Sequence, residues 1–227
     1  MGSTPLLLLS QAIRASLSPA RLATYEHAAD RASQPLEHAL LLYSWNARVS
    51  GALLTPLHIF EVVVRNAVAD ALQAVYGPDW PWSATFEKSL PDTRGTAYKP
   101  RGDLSSARSK AESTGAVIAD MKFVFWEKML TRRFDERIWN RHLRRVFPNY
   151  SADLPVSAVR QEIYEAMNQV RLLRNRIAHH EPIFTRDLKQ DFKIIHSIIE
   201  ARCTASAGWM YSEQQAVAII DSRPFNQ

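Results

Sequence analysis

Two arginines, an amide and an imidazole, Arg171, Arg174, Asn175 and His179, fall within about two and a half turns of an expected helix. Guanidiniums bind phosphate oxygens in bidentate fashion, an amide donates a further hydrogen bond, and an imidazole with an ordinary pKa of about 6.5 takes or gives a proton near neutrality. Around a phosphodiester these are the parts for RNA cleavage without a metal. A histidine would withdraw the proton of the ribose 2′-hydroxyl, the freed oxygen would attack the adjacent phosphorus, and arginine would stabilise the charge on the phosphorane. DNA lacks that hydroxyl and would be spared.

The helix that must carry these groups is legible from its apolar positions. Val159, Ile163, Ala166, Val170, Leu173 and Ile177 recur every three or four residues between about Val156 and His180, with Pro182 as the stop. At about 100° per residue, Arg171, Arg174, Asn175 and His179 share a polar stripe turned well away from that face. His180 lies about 100° further round, nearer the core side, and is expected to be a packed, hydrogen-bonded histidine. A blander use competes: arginine and histidine near a helix C-terminus cap free carbonyls and complement the dipole. Spacing alone favours the blander use. Adjacent histidines point apart and the sole cysteine, Cys203, completes no ligand set, so neither a metal nor another cofactor is expected.

The remaining elements also read as helices. Of 227 residues 46% are hydrophobic, and only 7 glycines and 12 prolines interrupt them, which predicts an all-α fold with no internal repeat and no flexible linker. One helix is expected from Ser18 to Asp30. A second starts near Pro35, weakened or broken at Gly51, and a third begins at Thr55-Pro56 and stops at Gly77-Pro78. Residues 79–102, with Trp80 and Trp82 beside prolines, read as an irregular connection holding a short helical piece. Asp103 is expected to cap a polar helix ending near Gly115, followed by a long, mostly helical stretch from Ala116 to Val146. A helix from Asp187 to about Cys203 and a short segment from Glu213 to Ile220 complete a single domain over 1–227, its core bundle at about 18–205.

Net charge of +5 favours a polyanionic partner without requiring one. A lone cysteine fits a reducing compartment, and Leu6 to Leu9 is too short to span a bilayer. The chain is therefore expected to be soluble and cytoplasmic, with no membrane partner.

Leu173-Arg174-Asn175-Arg176-Ile177-Ala178-His179-His180-Glu181-Pro182-Ile183-Phe184 resembles the signature of the Abi-like proteins of bacterial abortive-infection systems, a branch of the HEPN superfamily. Leu41 to Ser50, Pro56 to Ala67, Phe125-Trp126 through Trp139, and Leu143 to Pro148 resemble further blocks of that family in the same order. The run from Met121 to Trp126 departs from the pattern, which often has a glycine ahead of the tryptophan. The resemblance implies an HEPN-like helical bundle with additional helices and a homodimer formed through the motif helix, with two motifs in one composite site. It also implies endoribonuclease activity without a metal, with Arg174, Asn175 and His179 as catalytic residues in a phage-defence or toxin-antitoxin setting. Some members have lost activity, so a non-catalytic module that binds RNA or a protein antitoxin is the alternative.

Supporting roles fall to Arg171, Glu61, Arg65, Asn66 and His180. Glu61 and Arg65 are i,i+4 neighbours whose plain reading is a surface ion pair worth under about 1 kcal/mol. The functional reading has Glu61 reach the motif helix and orient Arg174 or Arg171. Arg132, Arg133, Arg137, Arg141, Arg144 and Arg145 are interleaved with Phe134, Ile138, Trp139 and Leu143. The apolar members suit a core, and some of the arginines could grip an RNA backbone.

Overall fold

The computed structural model describes residues 5–29, 35–93 and 95–225, where all regular structure is helical. The expected helix end at Asp30 and Arg94 of the connection lie outside the described residues. The chain opens with α1 (Pro5–Leu17), which hydropathy had not suggested, and α2 (Pro19–Ala29), joined at Ser18 in the left-handed region at φ 74°. Ser18 Oγ accepts from the Arg21 amide at 3.3 Å and starts the second helix.

The two helices expected on either side of Pro56 are one, α3 (Pro35–Tyr76), 42 residues and about 63 Å long. Proline inside a helix forfeits a hydrogen bond and crowds the carbonyl four residues back, at a cost of about 3 kcal/mol. The buried stripe Leu42, Val49, Leu53, Leu57, Phe60, Val64 and Leu72 passes through Pro56 without losing phase. Breaking the helix would expose part of that stripe, and each large aliphatic side chain is worth about 1.5–3 kcal/mol buried. By length and composition α3 could cross a membrane, an 18-residue window of it having a mean hydropathy of 1.4. Here its apolar stripe faces the core.

Residues 79–93 and 95–99 form the expected irregular connection with its short helical piece, and part of that connection is core. A 3-10 turn (Trp80–Trp82) leads into α4 (Ala84–Ser89), capped by Ser83, and Trp80, Phe86 and Leu90 are fully buried. Trp80 meets Phe86 and Trp126 edge-on at 5.2 and 6.2 Å. Asp103 is not the expected cap: α5 (Pro100–Arg108) starts behind Lys99, and the Asp103 carboxylate instead accepts from the Tyr98 hydroxyl at 2.5 Å.

The expected long helix from Ala116 is divided into α6 (Thr114–Asp120), α7 (Phe123–Met129), a 3-10 turn (Arg132–Phe134), a π-helical turn (Asp135–Trp139) and α8 (Asn140–Val146). Side chains stabilise the break after α7. The Trp139 indole donates to the Met129 carbonyl at 2.7 Å and Arg160 donates to that of Leu130 at 3.2 Å. Then come α9 (Val156–Ala178), α10 (Leu188–Arg202) capped by Asp187, α11 (Thr204–Glu213) and α12 (Ala216–Asp221). The last two replace the single short segment expected at 213–220. Helix α9 runs antiparallel to α3: Asn46 near the start of α3 meets Ile183 beyond the end of α9, while Glu61 further along meets Arg174.

Candidate functional site

Helix α9 buries Val159, Ile163, Ala166, Val170, Leu173 and Ile177, as its period requires, leaving Arg174 exposed and Arg171 and Asn175 half-buried. The end of the helix differs from the expectation. His179 is the C-cap, at φ −94°, and His180 lies outside the helix in the left-handed region at φ 56°. The His180 amide donates to the Ile177 carbonyl at 3.0 Å and that of Glu181 to the Arg176 carbonyl at 2.8 Å. These two bonds make a Schellman motif, whose left-handed position is ordinarily a glycine.

His180 is therefore not the packed histidine that helical projection placed near the core: it is exposed, because the helix ends before reaching it. Its carbonyl accepts from Arg21 of α2 at 2.9 Å. Beyond it the Asn46 side-chain oxygen, buried on α3, accepts from the Ile183 amide at 2.8 Å. Ile183 and Phe184 are buried, and Phe184 packs on Tyr25 at 5.1 Å. Both chain directions out of the motif are thus tied down.

Arg176 fastens the loop beyond α9 instead of capping a carbonyl of the helix. Its Nε donates to the Pro182 carbonyl at 3.2 Å, and Glu181 lies 3.5 Å away. Arg171 and Arg174 are held by carboxylates instead. Glu127 of α7, 0% exposed, accepts from Arg171 Nε on one oxygen and from Lys128 Nζ at 2.7 Å on the other. Asn168 takes a second Arg171 donor at 2.7 Å. Burial works against the Lys128 charge, but the hydrogen bonds to Glu127 and to the Tyr164 hydroxyl outweigh it and raise its pKa.

Arg174 sits in a looser setting, with Nη2 3.9 Å from Glu61 Oε2 and side-chain exposures of 47% and 29%. Glu61 does not pair with Arg65, the plain reading of their spacing. Arg65 Nε is buried without a hydrogen-bond partner, one turn beyond Glu61, and Asn66 is exposed. Among the described residues the side chains of Asn175 and His179 make no hydrogen bond or ion pair. The structure thus gathers Glu61, Arg171, Arg174, Asn175 and His179 along the end of α9, and leaves His180 on the turn beyond.

Glu127 does not stand out in the sequence, where it is one acid beside a lysine. The available signal is its place directly after the aromatic run Phe123-Val124-Phe125-Trp126, since a charge drawn into the core with such a run needs a partner there. Of the basic stretch, Arg144 donates to the carbonyls of Ser151, Ala152 and Leu154, and Arg145 to that of Asp70 at 2.8 Å. Arg144 fastens the loop after α8, and Arg145 ties α8 to α3. Phe134, Ile138, Trp139 and Leu143 are buried in the core, not offered as stacking platforms. Comparisons of the chain with known protein families, with curated proteins and with solved structures give no match, so the functional assignment rests on its own residues and geometry.

Proposed function

We propose that the chain is a metal-independent endoribonuclease of a phage-defence or toxin-antitoxin system, soluble and cytoplasmic, acting as a homodimer with an HEPN-like fold. The observation that carries this reading is the division of roles along α9. Arg171 is fixed by a buried carboxylate, Arg174 is open to solvent beside a carboxylate too distant to neutralise it fully, and Asn175 and His179 are uncommitted. A phosphodiester laid along this stripe meets one rigid and one adjustable guanidinium. The fixed one has already lost the rotamer freedom that binding would otherwise cost.

In the proposed reaction His179 takes the 2′-hydroxyl proton, a bond forms between that oxygen and phosphorus, and the bond from phosphorus to the 5′-oxygen breaks. The leaving oxygen receives a proton from the histidine of the second copy. The products are a 2′,3′-cyclic phosphate and a 5′-hydroxyl. Arg174 and Arg171 stabilise the charge on the phosphorane, and Asn175 donates to a phosphate oxygen. The exposed Leu172, on the same helix, offers a second copy apolar contact next to the motif.

One observation favours the alternative, a non-catalytic module that binds RNA or a protein antitoxin: among the described residues no side chain of the same subunit bonds the His179 imidazole. Single-stranded RNA incubated with the protein in EDTA separates the readings. Cleavage to a 2′,3′-cyclic phosphate that vanishes in His179→Ala is the expected result. Cleavage surviving that substitution would overturn the assignment, and binding without cleavage would favour the module.

A further inference from the structure

Well away from the motif, a cavity of about 570 Å³ opens between α4 and the π-helical turn, lined by Thr85, Lys88, Ser89, Arg133, Phe134, Glu136 and Arg137. Its rim carries three cations against one carboxylate. The carbonyls at the end of α4 are taken by Arg101 and Arg133, which leaves Lys88 and Arg137 without them. Arg101 donates to the Lys88 and Leu90 carbonyls at 3.1 and 3.0 Å, and Arg133 Nε donates to that of Ser89 at 2.9 Å. The bond from Arg133 uses Nε alone and pins its guanidinium at the wall. Lys88 and Arg137 have no ion pair or side-chain hydrogen bond among the described residues.

The backbone on this side is rigid and unusual. The π-helical turn (Asp135–Trp139) is held at its start by the Arg160–Asp135 pair at 2.8 Å and at its end by the Trp139 indole on Met129. Arg137 stands in the middle of that turn. A π-turn is an insertion that recurs at functional sites, and here it carries Arg137, which lines the cavity together with Lys88 and Arg133. Glu136 is partly occupied, accepting from the Asn140 amide at 3.1 Å. Phe134 is buried and gives a floor, not a face on which a base could stack.

We propose that this cavity binds the phosphate groups of a ligand, held by Lys88, Arg133 and Arg137 through charge and without reading its bases. The proposal does not depend on catalysis at the motif. Arg160, which fixes the π-turn, and Arg174 are fourteen residues apart on α9, about 21 Å along its axis, so the two places are separable by substitution. The phosphate has two possible sources, a free phosphate ester or the backbone of a nucleic-acid strand, and probe size distinguishes them.

The test uses the full chain with inorganic pyrophosphate, ATP and a short oligothymidylate, which lacks the 2′-hydroxyl and survives ribonuclease chemistry. Binding is read by calorimetry and anisotropy. Lys88→Ala with Arg137→Ala, two side chains with no ion pair or side-chain hydrogen bond among the described residues, is expected to weaken binding by at least about tenfold and to flatten its salt dependence, as loss of phosphate contacts does. Arg137→Lys in an otherwise unaltered chain retains most of the affinity, and Arg174→Ala leaves pyrophosphate binding unchanged. Binding of pyrophosphate and ATP would identify a free ester, and binding of the oligothymidylate alone a strand. No binding of any probe at millimolar concentration would overturn the proposal. So would binding that survives the double substitution, or binding that is lost on Arg174→Ala instead.

Discussion

Glu127→Gln removes the one charge that both Arg171 and Lys128 answer to, while keeping the shape of the side chain. Each charge-assisted hydrogen bond is worth about 1.5–3 kcal/mol, and breaking a buried pair outright costs about 3–5 kcal/mol when a charge is left stranded. Stranding is avoided here: Arg171 and Lys128 are 25% and 36% exposed and can turn towards water. The amide also escapes the desolvation that the carboxylate bears, and its oxygen still accepts from one cation while its nitrogen faces the other. The expected loss is therefore at the low end, about 2 kcal/mol, or about 4–8 °C in Tm for a chain of this size. Differential scanning fluorimetry and urea titration read it directly. A cycle with Arg171→Gln should give a coupling of about 1–2 kcal/mol, and an Arg171 freed of its tether should weaken RNA binding by roughly tenfold, about 1.4 kcal/mol. A Gln variant that melts within about 1 °C of the parent, well under that expected change, would refute the view of Glu127 as the anchor of the arginine stripe. A stability loss with unchanged RNA affinity would keep the anchor and deny its part in function.

His180→Gly relieves a left-handed residue at the Schellman position and is expected to stabilise the protein by about 1 kcal/mol, read as a rise in Tm; a fall would mean that the imidazole itself supports the turn. Asn46→Leu deprives the buried Ile183 amide of its acceptor and should cost about 1–3 kcal/mol in a urea titration, with no change at all counting against its role in holding the segment after the motif. His142 has its pKa lowered by burial and by the neighbouring Arg145 and Arg141 charges. The unfolded chain therefore binds the proton more readily than the folded one, and stability is full above the ordinary histidine pKa of about 6.5 and declines as pH falls through it. Melting followed from pH 8 to 5 should show that decline in part removed by His142→Gln, and identical profiles would assign it to other groups.

How far the sequence carried these conclusions differs from element to element. The buried face of α9 was fully legible, because one apolar period runs unbroken along it. The join across Pro56 was not, since local rules give proline a fixed cost and cannot weigh it against a stripe buried on both sides. Trp80 and Phe86 sit in a segment with breaker residues at both ends, and only tertiary contact with Trp126 makes them core. The site divided in the same way: spacing put Arg171, Arg174 and Asn175 on one stripe, and the link from Glu61 to Arg174 followed the expected direction. The turn at His180 was missed because the left-handed position usually announces itself as glycine. Glu127 was missed because Arg171, the partner that ties it to the stripe, lies on another helix 44 residues on.

The ends of α9 and the loop beyond it explain why a motif so near a helix terminus need not be loose. A terminal turn frays when its last carbonyls face water, and His179 at the C-cap would then sample many positions. Here the amides of His179, His180 and Glu181 occupy carbonyls of the last turn, Arg176 holds the carbonyl of Pro182, Arg21 holds that of His180, and Asn46 holds the amide of Ile183. Three separate elements therefore fix the backbone on either side of His179 while its side chain stays unengaged. That combination suits a group whose partner comes from outside the subunit: the backbone sets where the imidazole starts, and the substrate or a second copy sets where it points. Substitutions at Arg21 or Asn46 should accordingly reduce RNA cleavage more than RNA binding, because binding rests on Arg171 and its anchor on α7, which neither substitution touches.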